Sequence, residues 1–165
     1  MKKHFILLLL TILIFSCETD NNDNNNDDYN RSDILLNWSD NIIIPAYDSF
    51  YNSLILLNDM IISFTVNPNE NLLDAVSNSW LEAYKIWQYV EMFDIGLAEV
   101  INYKGKMNIY PVDSDLIDDN IFNGEYDLSN NNNFDARGFP ALDYMLHGLA
   151  DNSEEIINMY INNSS

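Results

Sequence analysis

The sequence predicts an all-α protein, a helical bundle. Apolar residues recur at steps of three and four over two long stretches, which is the period of a helix with one buried face. Only five Gly and four Pro interrupt 165 residues, so long helices are permitted. Hydrophobic content of 47% and aromatic content of 13% supply enough bulk for a core and exclude wholesale disorder. This length allows one domain, or one and a piece of a second.

The first long stretch follows Asp33 and reads Leu35, Trp38, Ile42, Ala46, Phe50, Leu54, Leu57, Ile61 and Phe64, widened by Tyr47, Tyr51 and Ile55. Pro45 lacks an N–H, so a kink or break is expected near Ile42 to Ile44. Asn67-Pro68-Asn69-Glu70 signals a second start, with Asn67 as cap, Pro68 at the first helical position and Glu70 reaching back. The helix it opens carries Leu73, Val76, Trp80, Ala83, Trp87 and Val90 on one face and should stop near Gly96. Trp80, Tyr84 and Trp87 read as core, with an aromatic-lined cleft as the alternative. Beyond it, Ile101 to Pro111 has no clean period. Lys104-Gly105-Lys106 marks a turn there, and Tyr110-Pro111 favours an extended step. Asp113 or Ser114 can cap a short helix through Phe122, closed by Asn123-Gly124. Asn130 to Asn133 is a polar loop. Gly138-Phe139-Pro140 then opens a helix to about His147, ended by Gly148, and Ser153 to Ile161 begins another.

The N-terminus is read as an address. Lys2 and Lys3 precede an apolar run from Phe5 to Phe15, too short for the ~20 residues of a spanning helix and of a length usual in export signals. Ile14-Phe15-Ser16-Cys17 resembles a bacterial lipobox. Residues 1–16 would then be a signal peptide and Cys17 a lipidated N-terminus that tethers the chain to a membrane. An ordinary signal peptide with an incidental cysteine, or a short membrane anchor, is the alternative. Residues 17–32 are rich in Asn and Asp and should form a flexible stalk, leaving 33–165 as the folded domain. The acidic tract after Cys17 resembles surface-export signals of Bacteroidetes lipoproteins, or is a plain hydrophilic spacer.

Charge narrows the partners. Seven Lys and Arg face twenty-six Asp and Glu, a formal charge of −19, and removal of Lys2 and Lys3 would make the balance more acidic still. Such a surface repels phosphate backbones, so nucleic-acid binding is excluded as a function. One cysteine, Cys17, excludes an intrachain disulfide and any thiolate zinc cluster.

Three segments in order point further: Trp80-Leu81-Glu82-Ala83-Tyr84-Lys85-Ile86-Trp87-Gln88-Tyr89-Val90-Glu91, with Gly96 after it; Ile109-Tyr110-Pro111-Val112-Asp113; and Ala136-Arg137-Gly138-Phe139-Pro140-Ala141-Leu142-Asp143-Tyr144-Met145-Leu146. Together they resemble the imelysin-like family, also grouped as insulin-cleaving metallopeptidases, over roughly Asp33 to Ala150. The resemblance implies an envelope protein of two helical bundles, often iron-regulated or encoded beside iron-uptake systems. Complete members run to twice this length or more, so this chain is expected to hold the first bundle and the signature segment. The family signature is Gly-x-His-x-x-Glu, proposed as a metal site. Aligned on Gly138, its histidine is Pro140 here, which has no lone pair to offer, and its glutamate is Asp143, one methylene shorter.

Several side chains are candidates for a ligand or metal site. Asp143 and His147 are four apart on a predicted helix and could share an ion; the plainer account places them at opposite ends of that helix as ordinary terminal residues. Glu91 could face the signature segment or be a solvated acid. Asp113 could line a site or serve only as a helix cap. Arg137 could pair with Asp143, bind a ligand carboxylate in bidentate fashion, or form a surface ion pair. Oxygen donors such as Glu91, Asp113 and Asp143 would suit iron or another divalent or trivalent hard cation better than zinc. No His-Glu-x-x-His motif is present, and peptide hydrolysis would need an ion with an open position, a polarised water and a base. The expectation is a lipid-anchored protein of the bacterial cell envelope, at the outer membrane. It would bind a metal, metal complex or envelope iron-uptake partner without catalysis. The alternatives are a metallopeptidase of this family or its inactive, truncated remnant.

Overall fold

The structure is a computed structural model and describes residues 30–163. The expected signal peptide, Cys17 and the stalk up to residue 29 lie outside the described residues. The chain divides between Leu36 and Asn37 into two units, and the packing below lies within the second. Among the described residues every regular element is helical, as the sequence periodicity requires. The order is α1 (Arg31–Trp38), a π-helical stretch (Ser39–Ile43), α2 (Ile44–Val66), α3 (Glu70–Val90), α4 (Leu97–Val100), α5 (Tyr103–Met107) and α6 (Ser114–Asn123). A 3-10 turn (Asn131–Asn133), α7 (Gly138–Asp143), a π-helical turn (Tyr144–Gly148) and α8 (Ser153–Asn163) follow.

The break expected at Pro45 is the π-helical stretch. Pro45 occupies the first turn of α2, where its missing N–H leaves no gap in the ladder, and the wide turn ends just before it. α2 and α3 are joined by three residues, so they lie as antiparallel neighbours and form the main packing of the bundle. Phe50, Leu57 and Phe64 from α2 interlock with Leu73, Val76, Ala83, Trp87 and Val90 from α3, and Phe139, Leu146 and Ile156 close the core. Phe50, Phe64, Trp87 and Phe139 are almost wholly buried, each stabilising the fold by about 2 kcal/mol on transfer from water. From α8, the Tyr160 ring meets Phe64 edge-on at 4.7 Å, and the Tyr160 hydroxyl donates to the Met145 carbonyl at 3.1 Å. Burial pushes the Tyr160 phenol up to about 12.

Several expectations change. Leu35, Trp38 and Ile42 continue the α2 stripe in sequence yet stand 65%, 55% and 48% exposed, because the core begins only at Ala46 and Phe50. Of the residues expected to widen the stripe, Tyr47 packs on the core while Tyr51 and Ile55 are exposed. Taken as one helix, Arg31–Val66 is long and apolar enough to cross a membrane by length and composition alone, although its Phe50, Leu57 and Phe64 serve the core.

The cap of α3 is Asn69, not Asn67: the Asn69 side-chain oxygen accepts from the Leu72 N–H at 3.1 Å, and its amide donates back to the Asn67 carbonyl. Pro68 therefore precedes the cap instead of opening the helix. α3 ends at Val90, well before Gly96, where the chain turns and the Phe93 carbonyl accepts the Tyr47 hydroxyl at 3.3 Å. The Lys104-Gly105-Lys106 segment is helical within α5, not a turn. Gly105 serves close packing, since a Cβ there would lie 2.9 Å from the Phe134 ring.

The later elements follow the sequence closely. Asp113 caps α6 by accepting from the Leu116 N–H at 3.0 Å, and Gly124 closes it in the left-handed conformation. The expected polar loop is partly ordered by its own amides: Asn120 donates to the Asn133 side chain at 2.7 Å, and Asn133 donates to the Asp127 carbonyl at 3.0 Å.

Candidate functional site

The signature segment is set by one backbone position. Gly138 opens α7 at φ +82°, and a Cβ there would lie 2.4 Å from the Met107 carbonyl oxygen. Only glycine allows this approach, which seats α7 directly on the end of α5. Phe139 follows and drops into the core, its ring 5.2 Å from that of Tyr84 and 6.2 Å from that of Phe50. Pro140 sits in the first turn, where no N–H is needed. The helix continues as a π turn through Gly148, a geometry frequent at functional sites.

Between this segment and α3 lies an open cleft of about 540 Å³. Trp80 and Tyr84 form one wall, stacked at 5.5 Å with 10° between their planes. The Trp80 indole N–H donates to the Phe139 carbonyl at 3.0 Å and joins that wall to α7. Tyr110 and Tyr144 add two further rings; the Tyr110–Pro111 peptide is cis and Tyr110 is 87% exposed. Asn108, Asp143 and His147 supply the polar groups. Trp80 and Tyr84 are half-buried, packing against the core on one side and lining the cleft on the other, whereas Trp87 is core at 1% exposure.

Asp143 and His147 come together as their spacing allows. His147 Nδ1 lies 3.0 Å from Asp143 Oδ1, and its Nε2 lies 3.1 Å from the Ser77 hydroxyl. A carboxylate only accepts, so the tautomer satisfying both partners carries its proton on Nδ1 and accepts the Ser77 hydroxyl at Nε2. The order Ser–His–Asp is that of a hydrolase relay. Ser77 lies in the middle of α3, however, where the neighbouring N–H groups are spent within the helix and none is left for an oxyanion. The chain of bonds instead fastens the π turn to α3. Ser77 was not read from the sequence; its place three residues before Trp80 on the same helical face was the available signal.

The remaining candidates lie elsewhere. Asp113 is the α6 cap, and its N–H donates to the Asp135 carbonyl at 3.0 Å. Glu91 follows the last turn of α3, its N–H donating to the Trp87 carbonyl, and is not part of the cleft wall. Arg137 donates to the Leu128 carbonyl and lies over the Phe134 ring at 4.6 Å, with its Nε and Nη2 enclosed and unpartnered. Neither Asp143 nor any other carboxylate forms an ion pair with it among the described residues. Tyr144 donates to the Asp118 carboxylate at 3.0 Å; burial first, then that bond and the charges of Asp118 and Asp115, raise its phenol above the ordinary value.

The donors do not fit the metal that the Gly-x-His-x-x-Glu signature implies. Proline replaces its histidine, both nitrogens of His147 are engaged, and no group of three or more His, Cys, Asp or Glu side chains able to hold an ion occurs among the described residues.

The helical bundle, the glycine-seated signature helix and the aromatic wall of α3 define a class, and the comparison with known families agrees. A family model described as imelysin matches residues 43–160, well over half of the chain. The chain belongs to the imelysin family. No curated protein and no solved structure matches it.

Proposed function

We propose that this chain is a lipid-anchored imelysin-family protein of the bacterial cell envelope, at the outer membrane, that binds a small ligand and does not cleave peptides. Its place would be in the acquisition of iron or another nutrient, beside envelope uptake partners. The observation that carries this reading is the cleft: about 540 Å³, walled by Trp80, Tyr84 and Phe139, with few polar groups, the usual make-up of a small-molecule site. Asp143 offers one carboxylate to it, enough for a ligand that arrives with its own coordination, such as a chelated metal, and too few donors for a bare ion. The lipobox-like Ile14-Phe15-Ser16-Cys17 supports the anchor, and Pro140 in place of histidine supports binding over hydrolysis.

A ligand-observed NMR screen of small aromatic and aliphatic compounds tests the reading. Compounds that bind the full chain, and bind Tyr110→Ala more weakly, are expected. An empty screen overturns it. So does Zn²⁺-dependent cleavage of an unfolded protein substrate that Asp143→Ala abolishes.

A further inference from the structure

Three properties of the cleft bear on what it accepts. Its lining is aromatic: Trp80 and Tyr84, stacked on each other at 5.5 Å, Tyr144, and Tyr110, which is 87% exposed. The negative face of an aromatic ring attracts a cation, most strongly for Trp and Tyr. Its charge is of one sign. Asp143 lines the cleft, Asp118 holds the Tyr144 hydroxyl with both carboxylate oxygens at 3.0 Å, and no Lys or Arg is part of the lining. The nearest guanidinium in sequence, Arg137, is turned away to the Leu128 carbonyl and the Phe134 ring. The formal charge of −19 over the whole chain draws cations toward the molecule and repels anions.

We infer that the cleft selects positively charged ligands and takes an alkylated ammonium group against its aromatic lining, the exposed Tyr110 included, with Asp143 as its counter-charge. This rests on the reading of the cleft as a binding site and names the chemistry it accepts. An anion entering would meet Asp143 with no Lys or Arg in the lining to offset it, and a neutral apolar group would strip water from that carboxylate without replacing it. An ammonium bearing methyl groups answers both the rings and the charge.

Choline and its neutral carbon isostere, 3,3-dimethylbutan-1-ol, separate the two contributions because they differ in one atom and one charge. Each is titrated into the full chain in a neutral maltoside detergent at physiological salt, followed by calorimetry and by Trp fluorescence. Choline is expected to bind at least about tenfold more tightly than the isostere. Asp143→Asn and Tyr110→Ala should each weaken choline about threefold or more, and the exposed Tyr110 can be removed without disturbing the fold. Equal affinity for the two compounds sinks the charge selectivity while leaving the cleft as a binding site. Choline binding that neither variant weakens also overturns the inference, since it then occurs elsewhere on the acidic surface. Binding of neither compound overturns it too; if the compound screen is also empty, the binding reading falls with it.

Discussion

The indole of Trp80 and the carbonyl of Phe139, 59 positions apart in the chain, are joined by a 3.0 Å hydrogen bond. This bond fixes the wall of the cleft to the helix that carries the family signature. Trp80→Phe keeps a ring in the stack with Tyr84 and removes the donor. It should lower unfolding free energy by about 1–2 kcal/mol in a urea titration, with an unchanged helical circular dichroism signal. No measurable loss would mean that the bond does not hold α7 in place.

Gly138→Ala tests the seating of that same helix. A methyl at φ +82° is strained whatever the space, and here it also meets the Met107 carbonyl at 2.4 Å. A loss of about 2–4 kcal/mol is expected, read as a marked fall in melting temperature. A variant that melts with the native protein would show that α7 does not rest on α5.

Much of this was legible in the residues, and the parts that were not share a cause. A period of three to four identifies a helix and a face, so α2, α3, α6 and the signature helix were foreseen, as was the cap at Asp113. Period says nothing about whether a partner reaches that face, so Leu35 and Trp38 were assigned to a core that begins a turn or more later. It also cannot separate Trp80 from Trp87: both belong to one stripe and pack on one core, and only the position of α7 leaves the first lining a cleft as well while the second is wholly enclosed. Capping has a similar limit. Asn67 and Asn69 are equivalent cap acceptors in sequence, and the backbone at Pro68 decides between them. The cleft itself joins residues from α3, the 108–112 segment and the signature helix, and no local pattern announces that meeting.

Asp113 was a candidate ligand and is observed as a helix cap. The two roles respond differently to substitution. Asp113→Ala should cost about 1 kcal/mol, whereas Asp113→Asn, an equally good cap, should cost almost nothing in thermal or urea unfolding. Equal losses for both variants would point to a role for the charge instead.

Alkaline pH provides a further check. Burial holds the folded-state value of Tyr160 at about 12, above the ordinary value near 10, so the fold favours the neutral phenol. That contribution is present in full below pH 10 and is lost as pH rises from 10 toward 12. Stability measured by urea unfolding should therefore fall across this window. In Tyr160→Phe the fall should be shallower, with a remainder from Tyr47, Tyr103 and Tyr144, whose phenols are also raised chiefly by burial. An unchanged slope in the variant would show that Tyr160 is not the buried phenol.

The π turn at Tyr144–Gly148 sets the aim of the side chains inside it. A wide turn holds one residue more than an α turn over nearly the same rise, so deleting a single position there would restore regular winding and leave the chain beyond it nearly in place. Within the turn the residues would be dealt anew around the axis, and His147 would leave Ser77. A shorter chain would make a more regular helix at the cost of the bond that ties the turn to α3, which marks these five residues as intolerant of length change even where their identities could vary.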